Sequence, residues 1–243
     1  MSVVTDPSTL GEIALFRGLT PEQLTRLNDL LHRKTFPAGT NIIMVEQPGE
    51  VIYVIFSGTV KVHVEQADGT DVIIAMLAAG ETVGEMSMLD CAGRSANVVT
   101  LEETTCFWMD RAAFQECLRT MPAINQNLFR MLCNRIRLAN EQIQSLARQD
   151  VEGRVARQLL AFAQLYGRTS SGGDVLIPIR LTQSDIANMV GATRERVNQV
   201  IAAYKQRKYI SVDHNYRITV HNQEALVKRT GRPGGRSLKG EVR

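Results

Sequence analysis

The chain has 243 residues, an apolar share of 44% and a net charge of only +3, which fits a soluble globular protein with room for two modest domains, each burying its own core. No apolar run approaches the 18 or so residues that span a bilayer. The opening MSVVTDPSTLGEIALF lacks a basic flank before its apolar residues, so neither a membrane span nor a signal peptide is expected. The small net charge hides an asymmetry. Residues 1–149 hold 12 Lys/Arg against 17 Asp/Glu, a net of −5, whereas residues 150–243 hold 16 against 8, a net of +8. A basic second half is the pattern of a chain that brings one domain to a polyanion. Cys91, Cys106, Cys117 and Cys133 are scattered with no CxxC pair, which points to reduced thiols and a cytoplasmic protein.

In chain order, Thr20-Pro21-Glu22-Gln23 signals the entry of a helix. Short β-branched runs then follow, and the expected strands are Asn41–Met44, Val51–Phe56, Thr59–Glu65, Asp71–Leu77, Ser95–Leu101 and Thr104–Met109. Gln47-Pro48-Gly49, Ser57-Gly58, Ala67-Asp68-Gly69 and Ala79-Gly80 break them. Many short strands at near-regular spacing predict a roll or barrel. In Val60-Lys61-Val62-His63-Val64 the alternation is strict, predicting one buried and one wet face with His63 as a solvated histidine. One loop interrupts the series, from Gly84-Glu85-Met86 to Arg94-Ser95-Ala96. Gly84 permits close backbone approach to a ligand, and a short helix after it offers free N–H groups. Arg94 suits a phosphate, and Glu85 can accept from a sugar hydroxyl. A plain Glu85–Arg94 surface ion pair is the competing reading of these two residues.

From Ile124 to Arg148 the pattern is helical, with Leu128, Leu132, Ile136, Ala139, Ile143 and Leu146 forming a coiled-coil-like seam suited to pairing about a two-fold. Leu181 to Arg207 reads as two short amphipathic helices joined at Gly191. Leu181, Ile186, Met189 and Val190 form one stripe, and Val197, Val200, Ile201 and Tyr204 the other. Thr182 with Asp185 fits a capping box, and Thr193 caps the second helix. Arg194, Glu195, Asn198 and Gln199 face away from the apolar stripe near that helix's N-terminus, where a major-groove reader carries its base contacts. Ile210–Val212 and Arg217–Val220 flank His214-Asn215 as a hairpin wing, with Tyr216 and Arg217 placed to touch a DNA backbone. Residues 225–243 read as a basic flexible tail.

Three ordered motifs resemble one family. Gly84-Glu85 with Arg94-Ser95-Ala96 is similar to the phosphate-binding cassette of cyclic-nucleotide-binding domains, preceded by the strand–turn–strand VIYVIFSGTVKV at 51–62. Asp150-Val151-Glu152-Gly153-Arg154-Val155-Ala156, and Gly191 to Val197 with Arg194-Glu195, resemble the DNA-binding domain of the bacterial cyclic-AMP receptor protein (Crp/Fnr) family. The resemblance covers about residues 8–222. It implies an α+β chain with a β-roll over 8–122, a dimerisation helix over 123–149 and a winged helix-turn-helix over 150–224. It also implies a homodimer on palindromic double-stranded DNA, RNA polymerase as a partner, and no covalent cofactor or metal.

For ligand binding the resemblance points to Gly84, Glu85, Met86, Arg94, Ser95, Arg135 and Asn140. For DNA it points to Thr182, Thr193, Arg194, Glu195, Asn198 and Gln199. Two departures matter. Where the cyclic-AMP receptors carry a Thr-Ser pair for adenine, this chain has Ala139 and Asn140. Gln199 replaces a second guanine-reading arginine and favours adenine. Cyclic AMP is the first expectation, with cyclic GMP or cyclic di-GMP as alternatives. A redox or haem sensor on the same scaffold lacks its N-terminal cysteine cluster here. A nucleotide-binding module without DNA fits the basic reading helix poorly, and an enzyme is the weakest reading because no nucleophile–base pair emerges.

Overall fold

A computed structural model of the chain describes residues 6–231 apart from Asp68. The tail positions Arg232, Arg236, Lys239 and Arg243, and residues 1–5, lie outside the described residues. The chain divides into two compact units, 1–139 and 140–243.

The first unit opens with α1 (Pro7–Leu10), a 3-10 turn (Ala14–Phe16) and α2 (Pro21–Leu30). Thr20 and Gln23 close the capping box that starts α2. Eight strands follow: β1 (His32–Phe36), β2 (Asn41–Ile43), β3 (Val51–Ser57), β4 (Thr59–Glu65), β5 (Asp71–Ala78), β6 (Thr82–Val83), then α3 (Glu85–Asp90), β7 (Asn97–Thr100) and β8 (Thr104–Asp110). They form two antiparallel four-stranded sheets, ordered β1-β8-β3-β6 and β2-β7-β4-β5, which make the expected β-roll. After α4 (Arg111–Thr120), α5 (Pro122–Arg148) runs for 27 residues.

β3 and β8 are buried on both faces, which is why they read as nearly continuous apolar runs rather than alternating ones. Ile52, Val54, Phe107 and Met109 face a core shared with Leu27, Phe114 and Leu128. Ile55 and Cys106 face the second core, between the sheets, with Val60, Val83 and Val98. Burial pushes the Cys106 thiol up to about 12 and the Cys117 thiol to about 11, so both are inert protonated side chains.

Gly58 turns β3 into β4 at φ +91°, and a Cβ there would lie 2.5 Å from Thr104 Oγ1 and 2.7 Å from the Glu103 carbonyl oxygen. Gly58→Ala combines a left-handed backbone with an overlap onto backbone, and is expected to cost about 3 kcal/mol. That corresponds to a fall in Tm of roughly 6–12 °C. An unchanged melting curve would show that the Thr104 strand end gives way freely.

Several expectations need correction. β1 and β6 were not expected. β1 is the polar run HRKTF with only Phe36 buried, and it exists through pairing with β8. His63 is not a solvated histidine. Its side chain is 13% exposed, and Nδ1 sits 2.8 Å from Asp71 Oδ1, whose other oxygen accepts from Lys61 Nζ at 2.8 Å. Burial raises the Asp71 pKa, but Lys61 and His63 outweigh it and hold the carboxyl below its ordinary value. Lys61 is only 16% exposed, so the strict wet–dry alternation expected for β4 is absent. The first member of the seam also changes, from Leu128 to Phe129. Leu128 is buried in its own unit's core, whereas Phe129 is 67% exposed, with Ile136 at 60%, Ile143 at 63% and Leu146 at 47%.

The second unit comprises α6 (Val151–Tyr166), β9 (Arg168–Thr169), β10 (Val175–Ile177), α7 (Gln183–Val190), α8 (Arg194–Gln206), β11 (Ile210–Val212), β12 (Ile218–Val220) and α9 (Gln223–Arg229). Its sheet is ordered β11-β12-β10-β9, all antiparallel, so the expected wing hairpin is extended by two short strands the sequence did not reveal. Val155, Leu159 and Phe162 of α6 share the buried interior with Ile186, Val197, Ile201, Tyr204, Ile218 and Leu226. α9 corrects the tail, because residues 225–229 are helical, capped by the Asn222 side chain.

Candidate functional site

The loop singled out in the first unit is assembled by β6 pairing with β3, Tyr53 with Val83 and Val54 with Thr82. This brings Gly84 against Val51. Gly84 has φ +86°, and a Cβ there would sit 2.6 Å from Arg94 Nη1 and 2.8 Å from the Val51 carbonyl oxygen, so only glycine fits. α3 starts directly at Glu85 with no side-chain cap. The chain then returns through Cys91, in the left-handed region at φ 58°, to Arg94.

Arg94 does not pair with Glu85. Its Nη1 donates to the Gly84 carbonyl at 3.1 Å and to Ser87 Oγ at 2.9 Å, and its Nη2 donates to the Val51 carbonyl at 2.8 Å. Burial holds its pKa below the ordinary arginine value, yet guanidinium remains a cation. Glu85, 3% exposed, instead accepts from Arg135 Nη1 at 2.6 Å. Arg135 also donates Nη2 to the Thr82 carbonyl at 2.5 Å and lies 3.6 Å from Glu81. The surface ion pair considered from sequence is thus replaced by a buried one to a residue 50 positions away.

Besides Thr82 Oγ1, two polar atoms of this cluster are buried without a hydrogen-bond partner among the described residues: Arg94 Nε and Glu85 Oε2. An unmet buried donor or acceptor costs about 1–3 kcal/mol. A ligand offering an anionic oxygen to the first and a hydroxyl to the second would remove both costs. Ser95 is exposed, with its hydroxyl 3.9 Å from the sulfur of the half-exposed Met86. Asn140 is exposed on α5, the first residue of the second unit.

Sequence reasoning missed Arg111. Its guanidinium donates to the carbonyls of Gly49 (2.6 Å), Ser87 (3.0 Å) and Met88 (3.2 Å), and reaches Cys91 Sγ at 3.3 Å. It therefore clamps α3 from behind. An arginine at the first position of α4 carries no sequence signal for that role.

In the second unit α7 and α8 form the expected helix-turn-helix. Thr182 and Asp185 make the capping box of α7, Gly191 closes it at φ 60°, and Thr193 Oγ1 caps α8 by accepting from Arg196 N. Val197, Val200, Ile201 and Tyr204 are buried, while Arg194, Glu195, Asn198 and Gln199 are exposed. Asn198 Oδ1 accepts from Gln183 Nε2 at 3.0 Å, and Gln199 Oε1 from Arg196 Nη1 at 3.1 Å. A backbone hydrogen bond at Glu195 and the Thr193 hydroxyl lower the pKa of the Glu195 carboxyl. On the wing, Tyr216 adopts φ 60° at the hairpin tip, 49% exposed, with the Arg180 guanidinium 5.4 Å from its ring centre. Among the described residues no group of three or more His, Cys, Asp or Glu is placed to hold a metal ion, and no helix is long and apolar enough to cross a membrane.

Comparison with known proteins agrees with both halves. A cyclic nucleotide-binding domain profile matches residues 33–121, and a Crp-like helix-turn-helix domain profile matches residues 153–229. The CRP-like cAMP-activated global transcriptional regulator of Mycobacterium tuberculosis is 33% identical over 220 residues, covering 90% of this chain and 97% of the relative. The cyclic AMP receptor protein of Thermus thermophilus is 31% identical, covering 78% and 84%. Among solved structures, FixK2 of Bradyrhizobium japonicum superposes with a TM-score of 0.71 at 18% identity, covering 82% of this chain and 96% of that one. The c-di-GMP responsive global regulator CLP of Xanthomonas campestris gives 0.69 at 20%, covering 83% and 99%. These two structures attest the fold alone. Profiles, relatives and architecture converge, and the chain belongs to the Crp/Fnr family of cyclic-nucleotide-binding, helix-turn-helix transcription regulators.

Proposed function

We propose that this regulator is a cytoplasmic homodimer gated by cyclic AMP, with Gly84, Glu85, Met86, Arg94 and Ser95 forming the nucleotide cassette and Arg135 and Asn140 contributing from α5. The observation that carries the ligand class is the pair of unmet buried atoms. Arg94 Nε–H suits a phosphate oxygen and Glu85 Oε2 a ribose hydroxyl. Charge favours one phosphate over two. Of the three guanidiniums around the cassette, Arg135 is paired with Glu85 and Arg111 is committed to backbone carbonyls, whereas Arg94 keeps an unmet buried donor, Nε, for an anion. Two relatives at 31–33% identity are named for cyclic AMP, in the same direction. Because Glu85 already holds Arg135 of α5, a ribose hydroxyl on its free oxygen bears directly on the long helix, which is a route for gating by population shift. Calorimetric titration with cyclic AMP, cyclic GMP and cyclic di-GMP tests this reading. Saturable binding of cyclic AMP alone is expected, preference for cyclic di-GMP would displace cyclic AMP, and silence from all three would sink the cassette assignment.

For DNA, Arg194 reads guanine, Glu195 accepts from a cytosine amino group, Asn198 and Gln199 complete the reading face, and Thr182 and Thr193 contact phosphate. Gln199 exchanges its Arg196 partner for an adenine edge. Two-fold pairing places half-sites about 34 Å apart, with RNA polymerase as the further partner. Arg194→Ala is expected to lose about 1–3 kcal/mol of base discrimination, a factor of roughly 5 to 150 in the specificity ratio measured on a duplex panel. Equal weakening on every duplex would reassign Arg194 to phosphate.

A further inference from the structure

We infer that Ser211, His221 and Asp174 form a nucleophile–base–carboxylate relay on the wing sheet, which makes Ser211 a site of covalent acylation by activated acyl esters and thioesters. β11, β12 and β10 are neighbouring strands. Ser211 stands opposite Thr219 and Val175 opposite Val220, so the ladder carried one residue further sets Asp174 beside His221. Because side chains alternate along a strand, all three lie on one face of the sheet. They come from positions 47 and 10 residues apart, which is why the sequence shows no nucleophile–base pair. His221 is held at both ring nitrogens, with Nδ1 2.8 Å from Asp174 Oδ2 and Nε2 2.9 Å from Ser211 Oγ. A carboxylate can only accept, so Nδ1 carries the proton and the Nε2 lone pair accepts from the Ser211 hydroxyl. This is the polarity by which a histidine activates a serine.

The cluster is open to a substrate. Ser211 is exposed, and the His221 and Asp174 side chains are 34% and 43% exposed, so an acyl donor reaches Oγ from solvent. A backbone donor stands next to the nucleophile. His221 N donates to the Tyr209 carbonyl and Asp213 N to the Arg217 carbonyl, so residues 209, 211 and 213 turn their amides toward β12. The Val212 N–H therefore points the other way, to the edge of the sheet, where it can receive a developing oxyanion. In the reaction Ser211 Oγ adds to the acyl carbon and its proton passes to His221 Nε2. The C–O or C–S bond then breaks, and His221 returns the proton to the leaving alkoxide or thiolate. The products are acyl-Ser211 and an alcohol or thiol. Water delivered by the same base later releases the carboxylic acid and restores the serine. Asp174 is a positioning residue, acting through the tautomer and orientation of His221.

The test treats the full chain with p-nitrophenyl acetate and, separately, with a fluorophosphonate, which loses fluoride as it bonds to an activated serine oxygen. The modified residue is then mapped by mass spectrometry. A burst of about one p-nitrophenolate per chain is expected, with both labels on Ser211. Ser211→Ala should abolish the burst and the fluorophosphonate label. His221→Ala should slow acylation by roughly 100-fold or more, and added imidazole should restore part of the rate. Asp174→Asn should slow it by about ten-fold or more, with part of the loss recovered in Asp174→Glu. Rescue by imidazole and by the longer carboxylate separates this chemistry from a merely structural bond across the wing. Labels scattered over other residues, an unlabelled Ser211 in the native chain, or native rates in His221→Ala would overturn the inference.

Discussion

Arg94→Ala is expected to leave a folded protein that no longer binds cyclic AMP measurably. In the native chain the guanidinium makes three hydrogen bonds, to Gly84, Ser87 and Val51, and keeps Nε in reserve. Alanine removes the cation and the frame that holds the loop. A charge-assisted bond contributes about 1.5–3 kcal/mol, so losing the one that Nε offers a phosphate amounts to a roughly 10- to 150-fold fall in affinity, to which the loss of the loop's frame adds. Calorimetry and the stabilisation of Tm by added nucleotide give independent readouts. Arg94→Lys keeps the charge but not the fork, and should retain only a small part of the affinity. Native affinity in the alanine protein would dismiss the cassette reading, whatever the protein's stability.

The second large effect is expected at the seam of α5. Ile143→Asp removes a side chain that is 63% exposed in the protomer, so the protomer itself should fold normally. In a two-fold pair it deletes two apolar contacts and places two carboxylates in an apolar stripe, at a combined cost on the order of 5 kcal/mol or more. Sedimentation should show a monomer, with operator binding weakened at least 100-fold because two half-sites are no longer held by one particle. Ile136→Asp should behave alike, whereas Leu128→Asp should unfold the first unit, since Leu128 is buried in its core. A dimer that survives Ile143→Asp would place the pairing surface elsewhere.

The features legible from sequence were those written in local chemistry. Thr20 with Gln23, Thr182 with Asp185, and the glycines at 84 and 191 each declare a conformation within three or four residues, and the structure places helix starts and left-handed turns there. What escaped was set by partners far along the chain. Leu128 and Phe129 are adjacent and both apolar, so helical period alone could not say which one the β-roll would bury. His63 stands on the expected phase of β4, yet the register across β5 brings Asp71 to it. Glu85 and Arg94 are read against each other because they lie nine residues apart in one loop. Arg135, from the long helix, is the partner that Glu85 has. β1 is a strand because β8 lies beside it, and nothing in HRKTF announces that.

With Phe129 rather than Leu128 at its head, the α5 stripe has a regular repeat. Phe129, Leu132, Ile136, Ala139, Ile143 and Leu146 follow a strict three–four alternation, with Phe129, Ile136 and Ile143 repeating every seven residues. On a straight α-helix such a stripe drifts by about 20° per heptad. Two helices meeting along it must therefore wind around each other with left-handed supercoil. At a pitch near 150 Å, the roughly 26 Å between Phe129 and Leu146 corresponds to about one sixth of a turn. Aliphatic β-branched Ile136 and Ile143 alternating with Leu132 and Leu146 suit a parallel two-stranded coil. Ala139, between Ile136 and Ile143, would be the narrowest rung of such a pair, where its small side chain lets two backbones come closest.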